Sequence, residues 1–332
     1  MPLITGTSDI PTNLQGYYDR NLLERALPAL LHDRFGQVRP LPKNKGTRIN
    51  FRRYGSLPEN LTPLTEGITP TGKKLSTTDI YATMAQYGDF VTITDWVSMV
   101  GLDPILLEAG EILGEQAGNT VDLLIRAVLV AGTSVRYAAG VAGRTTVATT
   151  IADADLTAVT RTLEGNNAKK LRTMVQGGAK INTYPLRPSF ITISHTDCRD
   201  DIEGLSGFKS VEEYASQKDV MEEEIGSTKN YRHLITTNGR MWEAGGIAVG
   251  ATGLKANDST NVDVYATLVF AKNAYGIIPL QKKSIANIVK KMGSSGTEDP
   301  LNQRSTSGWK AATVAKILND DFMVRIEHGV TA

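Results

Sequence analysis

One cysteine, Cys198, stands in 332 residues, so no disulfide can form within the chain and a reducing, intracellular folding site fits. Histidine is nearly as scarce, at positions 32, 195, 233 and 328, and no CxxC or HxxxH spacing marks a zinc site. Neither sign of charge dominates: 36 basic residues face 35 acids, for a net charge of +1. That balance gives no global pull toward nucleic acid or a membrane. Aromatic residues make up only 6% of the chain. Charges interrupt every apolar run before the ~18 residues that a membrane span requires. No charged and apolar leader opens the chain, so no secretory signal is expected. Glycine is plentiful instead, at 31 residues, and implies many turns and extended connections.

The strongest single pattern runs from Asp103 to Ala131. Asp103 before Pro104 is a helix start, because the carboxylate caps a free N–H and proline loses nothing at the first helical position. Leu106, Ala109, Leu113, Ala117, Val121, Leu124 and Val128 recur in steps of three and four, and predict one buried face. Glu108, Glu111, Glu115, Asp122 and Arg126 are expected on the opposite face, Asp122 and Arg126 as an i,i+4 pair. Such a helix is roughly 40 Å long. Gly110, Gly114 and Gly118 fall every fourth residue, each costing about 1 kcal/mol relative to alanine. A helix that tolerates this is closely packed or bent there.

Residues 1–16 read as an extended arm and 17–35 as a short amphipathic helix broken near Pro28. Leu22, Leu23, Leu27, Leu30 and Leu31 of that helix need a surface elsewhere, for which a neighbouring subunit is one choice. Residues 47–54 alternate as a strand, and a second strand pattern starts at Ile80. Between them lies a tip stiffened by Pro58, Pro63 and Pro70, in a projection of about 40 residues that cannot form its own core. Residues 132–154 read as a loop or weak hairpin, and Asp155 as the cap of a second helix interrupted near Gly165. The texture changes at the proline-marked 183–189, after which comes a mixed α/β module of about 100 residues. Alternation on both sides of Asn319-Asp320-Asp321 predicts a terminal hairpin.

No constellation for chemistry emerges. Gly67 to Lys74, GITPTGKK, matches the first part of a phosphate loop. It then puts Lys74 where Ser or Thr should hold magnesium, carries Pro70 in the cradle, and is followed by no helix; it reads as a turn. His195, Asp197 and Cys198 are residue types of nucleophilic chemistry without its spacing. The acidic stretch 212–224 lacks the alternating oxygens and the glycine of a calcium loop, and reads as a solvated helix face. Residues 1–54 carry nine basic residues and four acids, a bias that suits contact with DNA, though without aromatics at stacking spacing apart from Phe51 and Tyr54, and at least equally salt bridging between subunits. No cofactor and no metal are expected.

The order of parts, and three stretches in particular, carry a resemblance. LTPLTEGITPTGKKLS (61–76), QYGDFVTITDWVSM (86–99) followed by the long helix, and GWKAATVAKILNDD (308–321) resemble the N-four-type major capsid proteins of tailed phages. That resemblance implies an α+β, Hong Kong 97-like fold. Residues 1–35 would be the N-terminal arm, 36–80 the extended loop, 81–185 the peripheral domain with its spine helix, and 186–285 the axial domain. Residues 286–332 would be a linker and return strands of the peripheral domain. It implies no enzymatic activity but self-assembly, as hexamers and pentamers, into an icosahedral head shell around double-stranded DNA. Partners would be a portal, a separate scaffolding protein and an optional decoration protein, with no membrane, in a virion assembled in the host cytoplasm. Arg52, Arg53, Glu66, Lys73 and Lys74 are the expected intersubunit contacts, and Gly110, Gly114 and Gly118 the expected bend. Lys43, Lys45, Lys73 and Lys74 lie on the loop as candidate cross-link donors, but read first as solvated lysines contacting neighbouring acids. An encapsulin-like nanocompartment is the nearer alternative. An enzyme using His195 and Cys198 in the 186–285 module is the further one.

Overall fold

A computed structural model describes residues 30–42, 44, 46–55, 57–95, 105–171, 188–214, 220–221, 223–250, 253–258, 260–279, 285–294 and 299–332. Lys43, Lys45, the Asp103–Pro104 helix start and Leu22, Leu23 and Leu27 lie outside these residues.

The long helix α1 runs unbroken over Ile105–Val130. Its buried stripe is Leu113, Ala117, Val121, Ile125 and Leu129, each at most 3% exposed, while Leu124 and Val128 are only half-buried. Steps of four outrun the 3.6-residue turn by about 40° each, so the stripe winds round the helix. That winding lets α1 serve two sheets in turn. Its first half lies beside β4 (Ala85–Thr94) and β14 (Arg304–Ile317), where Gln116 links Asp89 to the Trp309 indole. Its far end reaches the start of β15 (Met323–His328), with Gly132 against Met323. The orphan carbonyls of Val130 and Gly132 are taken by Arg325, because the last turn has no basic residue of its own.

The five-stranded sheet is centred on β14. One edge of β14 pairs antiparallel with β4; the other pairs with β13 (Ile285–Lys290) and then with β12 (Tyr275–Pro279). The two-residue β1 (Gln37–Val38) extends it beyond β12. The eight-stranded sheet includes β5 (Val135–Tyr137), β15, β11 (Val264–Phe270), β6 (Phe190–His195), β9 (Tyr231–Thr236), β8 (Glu224–Thr228) and β7 (Phe208–Ser210), in that order. The short β10 (Met241–Trp242) pairs with the start of β11. Alternation splits the residues of this sheet between two cores. Ile191, Ile193, Leu268 and Phe270 pack toward α1. Phe190, Val269, Val324 and Ile326 pack toward α2 (Asp153–Gly165) and α3 (Arg199–Glu203).

Four expectations give way here. The 308–328 segment is no hairpin: β14 and β15 belong to different sheets, and 318–322 is the corner between them. Residues 271–274 turn the same corner alongside, with Ala274 accepting from the amides of Leu318 and Asn319. Two long ribbons, β11–β12 and β14–β15, thus cross both sheets side by side. The 132–154 segment is no hairpin either, since β5 pairs in parallel with β15. Asp155 does not cap α2. It is fully buried in the first turn and accepts from Arg136 and the Ala139 amide, while Ala152 holds the cap position. Glu224 of the acidic stretch lies in β8, buried against the Arg232 guanidinium, not on a solvated helix face.

Candidate functional site

The strands β2 (Arg48–Tyr54) and β3 (Thr77–Thr83) form an antiparallel ribbon paired from Arg48↔Thr83 to Tyr54↔Thr77. Its root is anchored where Phe51 and Ala82 pack with Leu41 on Ile278 of β12. The loop beyond it, 57–76, is exposed throughout, with Leu61 at 87%, Leu64 at 74% and Ile68 at 67%. Gly67, at φ +77°, turns the tip, and the Ile68 amide donates to the Thr65 carbonyl. Lys73 is tied to the carbonyls of Pro58 and Glu59, which fixes the phosphate-loop look-alike as a strap across the loop.

The five expected contact residues divide. Arg52 binds Asp79 across the ribbon at 2.8 and 3.1 Å, Arg53 reaches Asn319, and Lys73 holds the strap. Arg34 likewise meets Glu223 within the chain, so the basic bias of the N-terminal third is partly spent at home. Glu66 and Lys74 have no partner among the described residues.

A second surface is one that sequence reasoning missed. The face of the five-stranded sheet away from α1 is covered by the ribbon root at Ile278 and Val314 but is open over the rest of β14. There Gly308 lies opposite Phe90 on one side and Ile288 on the other. A Cβ on Gly308 would sit 2.7 Å from the Phe90 Cβ, so only glycine lets Phe90 lean over the strand. Phe90 is 66% exposed and Ile288 46%. They wall a groove of about 630 Å³ rimmed by Lys290, Arg304 and Lys310, whose one carboxylate, Asp89, is engaged by Gln116. The signal in the sequence was SGW, a glycine inside an alternating strand.

The arm junction is a third feature. Asp122, expected on the solvent face, is fully buried. It accepts from the Leu31 amide (3.0 Å), the His32 amide (2.8 Å), His32 Nδ1 (2.8 Å) and Asn238 Nδ2 (3.2 Å). Tyr275 donates to the His32 carbonyl at 2.6 Å. Leu30 and Leu31 are therefore buried in their own chain's core. Arg126 turns from Asp122 to the carbonyls of Asn238 and Gly239. Burial and the nearby Asp122 push the carboxyl of Asp33 up to about 6.

His195 and Cys198 do not form a reactive pair. His195 Nδ1 accepts from the Asp197 amide at 3.1 Å, and burial lowers its pKa. Cys198 is wholly buried in the α2–α3 core, and burial drives its thiol far above the usual range. A nucleophilic cysteine needs a thiolate and access, and this one has neither. Among the described residues no three His, Cys, Asp or Glu side chains form a metal-binding group, and no described helix is long and apolar enough to cross a membrane. Of the three helix glycines, all are buried, and among the described residues a Cβ on Gly110 would meet nothing within 4 Å.

No family model and no curated protein matches the chain in sequence. Its structure has clear counterparts. The capsid of Ralstonia phage GP4 matches with a TM-score of 0.65 at 10% identity, over 90% of this chain and 88% of that one. The capsid asymmetric unit of cyanophage Pam1 gives 0.61 at 12%, over 93% and 92%. The capsid of cyanophage P-SCSP1u gives 0.57 at 12%, over 90% and 88%. At such identities the likeness is one of fold: the chain has the Hong Kong 97-like α+β fold of tailed-phage capsid proteins.

Proposed function

We propose that this chain is the major capsid protein of a tailed phage, whose copies form hexameric and pentameric capsomers of the icosahedral head shell around double-stranded DNA. A portal and a separate scaffolding protein complete the assembly in the host cytoplasm. The fold supports this reading, and one observation carries it: the 57–76 loop is built to be covered and, among the described residues, nothing in its own chain covers it. Apolar side chains as exposed as Leu61, Leu64 and Ile68 mark an interaction surface. The Phe90–Gly308–Ile288 groove offers the complement on a second copy: an apolar floor for the leucines and a cationic rim for Glu66. Such a contact joins two different patches, so it propagates and closes into rings.

Electron microscopy of the purified chain tests the reading. Closed shells are expected, and discrete monomers would overturn it. Shells filled with a protein cargo would favour a nanocompartment instead. A Leu64→Cys, Ile288→Cys double variant tests the contact, since buried Cys198 gives no background. Disulfide-linked ladders on a non-reducing gel are expected, and monomer alone from intact shells places the loop elsewhere.

A further inference from the structure

Four arginines from four parts of the chain gather where α1 ends. The guanidinium carbons of Arg144, Arg240 and Arg325 lie 3.7, 5.3 and 5.6 Å from the centroid of the Trp242 ring. Arg126 ties the 238–239 turn to α1 through its Nη1 bonds to two carbonyls, at 2.8 and 3.3 Å. One carboxylate contacts any of the four. Glu327, fully buried, takes Arg144 at 2.7 and 2.9 Å and Arg325 at 2.8 Å. Arg325 spends its remaining donors on the α1 carbonyls. Among the described residues no carboxylate contacts Arg126 or Arg240.

The other acids of this region are already committed. Asp122 is enclosed by its four donors. Asp263 accepts from the amides of Ala244 and Asn257. Asp197 is held by Lys255 at 2.6 Å and Tyr265 at 2.7 Å. Glu243 is exposed beside Trp242 and contacts none of the arginines among the described residues. The Nε of Arg126 is buried with no acceptor. Burial and the field of Arg240 both lower its pKa. Among the described residues, folding brings two like charges together, with Arg240 over the Trp242 ring, and offers Arg240 no carboxylate and Arg126 only the field of the enclosed Asp122, four residues back. That arrangement is costly alone and favourable once an anion with several acceptor oxygens arrives, because a guanidinium fork matches such oxygens in pairs.

We propose that Arg126 and Arg240, floored by Trp242, form a binding site for a phosphate group. The group is either a phosphodiester of duplex nucleic acid or a free phosphate or pyrophosphate ion. The duplex source rests on the shell reading above; the site itself does not.

The test is calorimetric titration of the full chain with inorganic phosphate, pyrophosphate and a short mixed-sequence duplex, for wild type, R240Q, R240K and K209Q. Wild type should bind at least one of the three. R240Q should weaken that binding about tenfold, and for the duplex lower the slope of log Kd against log salt by about 1. K209Q, exposed on β7 at the far edge of the eight-stranded sheet, should change nothing. R240K keeps the charge without the fork and should fall between, and it stands in for R240Q if that variant fails to fold. Binding of pyrophosphate without duplex identifies a free anion as the ligand; binding of both, with competition, identifies the nucleic-acid backbone. Equal affinities for R240Q and wild type, or no binding by wild type, would overturn the proposal. So would loss of shell assembly in R240Q with anion binding intact, which would give these arginines to a neighbouring copy's carboxylate. A chain that binds phosphate but never assembles would sink the shell reading and leave this one standing.

Discussion

Replacing Asp122 by alanine should release the arm junction. The substitution leaves two buried backbone amides, those of Leu31 and His32, without an acceptor, together with His32 Nδ1 and one hydrogen of Asn238. Each stranded buried donor costs about 1–3 kcal/mol, and Asn238 keeps Asn119 as an alternative acceptor. Allowing for water at the vacated site, Asp122→Ala should cost roughly 3–5 kcal/mol, a large share of the ~5–15 that holds a domain together. Asp122→Asn should cost less, about 1–2 kcal/mol, since its remaining oxygen still faces both amides and His32 can change tautomer. The assay is urea unfolding of the unassembled chain, with hydrogen exchange at residues 31 and 32. Exchange should quicken there first, because the bonds lost are local to the junction. If both variants unfold within about 0.5 kcal/mol of wild type and those amides stay protected, Asp122 does not hold the arm.

Asp33→Asn tests the same junction with the opposite sign. A carboxyl raised from 3.8 to about 6 by folding opposes the folded state above that value, and the penalty fades as pH falls from about 6 toward 4. Asn should therefore stabilise by up to roughly 3 kcal/mol near pH 8 and by nearly nothing near pH 4; an equal gain at both would refute the assignment. Glu66→Lys should leave the circular dichroism spectrum of the monomer unchanged while shells fail to form or dissolve in moderate salt, since truncating a desolvated pair costs about 2–5 kcal/mol per contact. Wild-type salt resistance would show that the tip is no clamp. Gly110→Ala should stabilise the chain by up to about 1 kcal/mol, because its Cβ meets open space. If shell expansion is then slowed, the helix bends there, and unchanged kinetics would count against it.

The long helix and most strands were legible because periodicity records which face is buried. It does not record against what. The stretch 308–328 alternates faithfully on both sides of Asn319, and a hairpin and a corner between two sheets share that alternation. Only the pairing of β14 with β4 and β13, and of β15 with β11 and β5, separates them, and those partners lie far off in sequence. Asp122 fails for the same reason. Four residues before Arg126, it reads as a surface ion pair, whereas its donors stand 90 and 91 residues back along the chain. Asp155 sits where a cap should be and instead answers Arg136. Asp122, Asp155 and Glu224, each misjudged from sequence, are all buried, and their partners stand 90, 19 and 8 residues away, off the spacings that local pattern reads.

The loop reverses that logic. Its sequence says plainly that it cannot fold alone: prolines at 58, 63 and 70 forbid a ladder, and Leu61, Leu64 and Ile68 follow no period that could bury them together. The structure removes the local partners from the list, since Arg52, Arg53 and Lys73 are engaged at home while Glu66 and Lys74 are not. What the sequence could not supply is the receiving surface. It is written in single residues on three strands, Phe90, Gly308 and Ile288, which become neighbours only when β4, β14 and β13 pair. A small glycine between two exposed apolar side chains makes a groove where most sheets present a ridge. Among the described residues of one chain that groove has no occupant and the loop no cover. The two deficits match in polarity and in charge, and the proposed contact between identical copies would satisfy both at once.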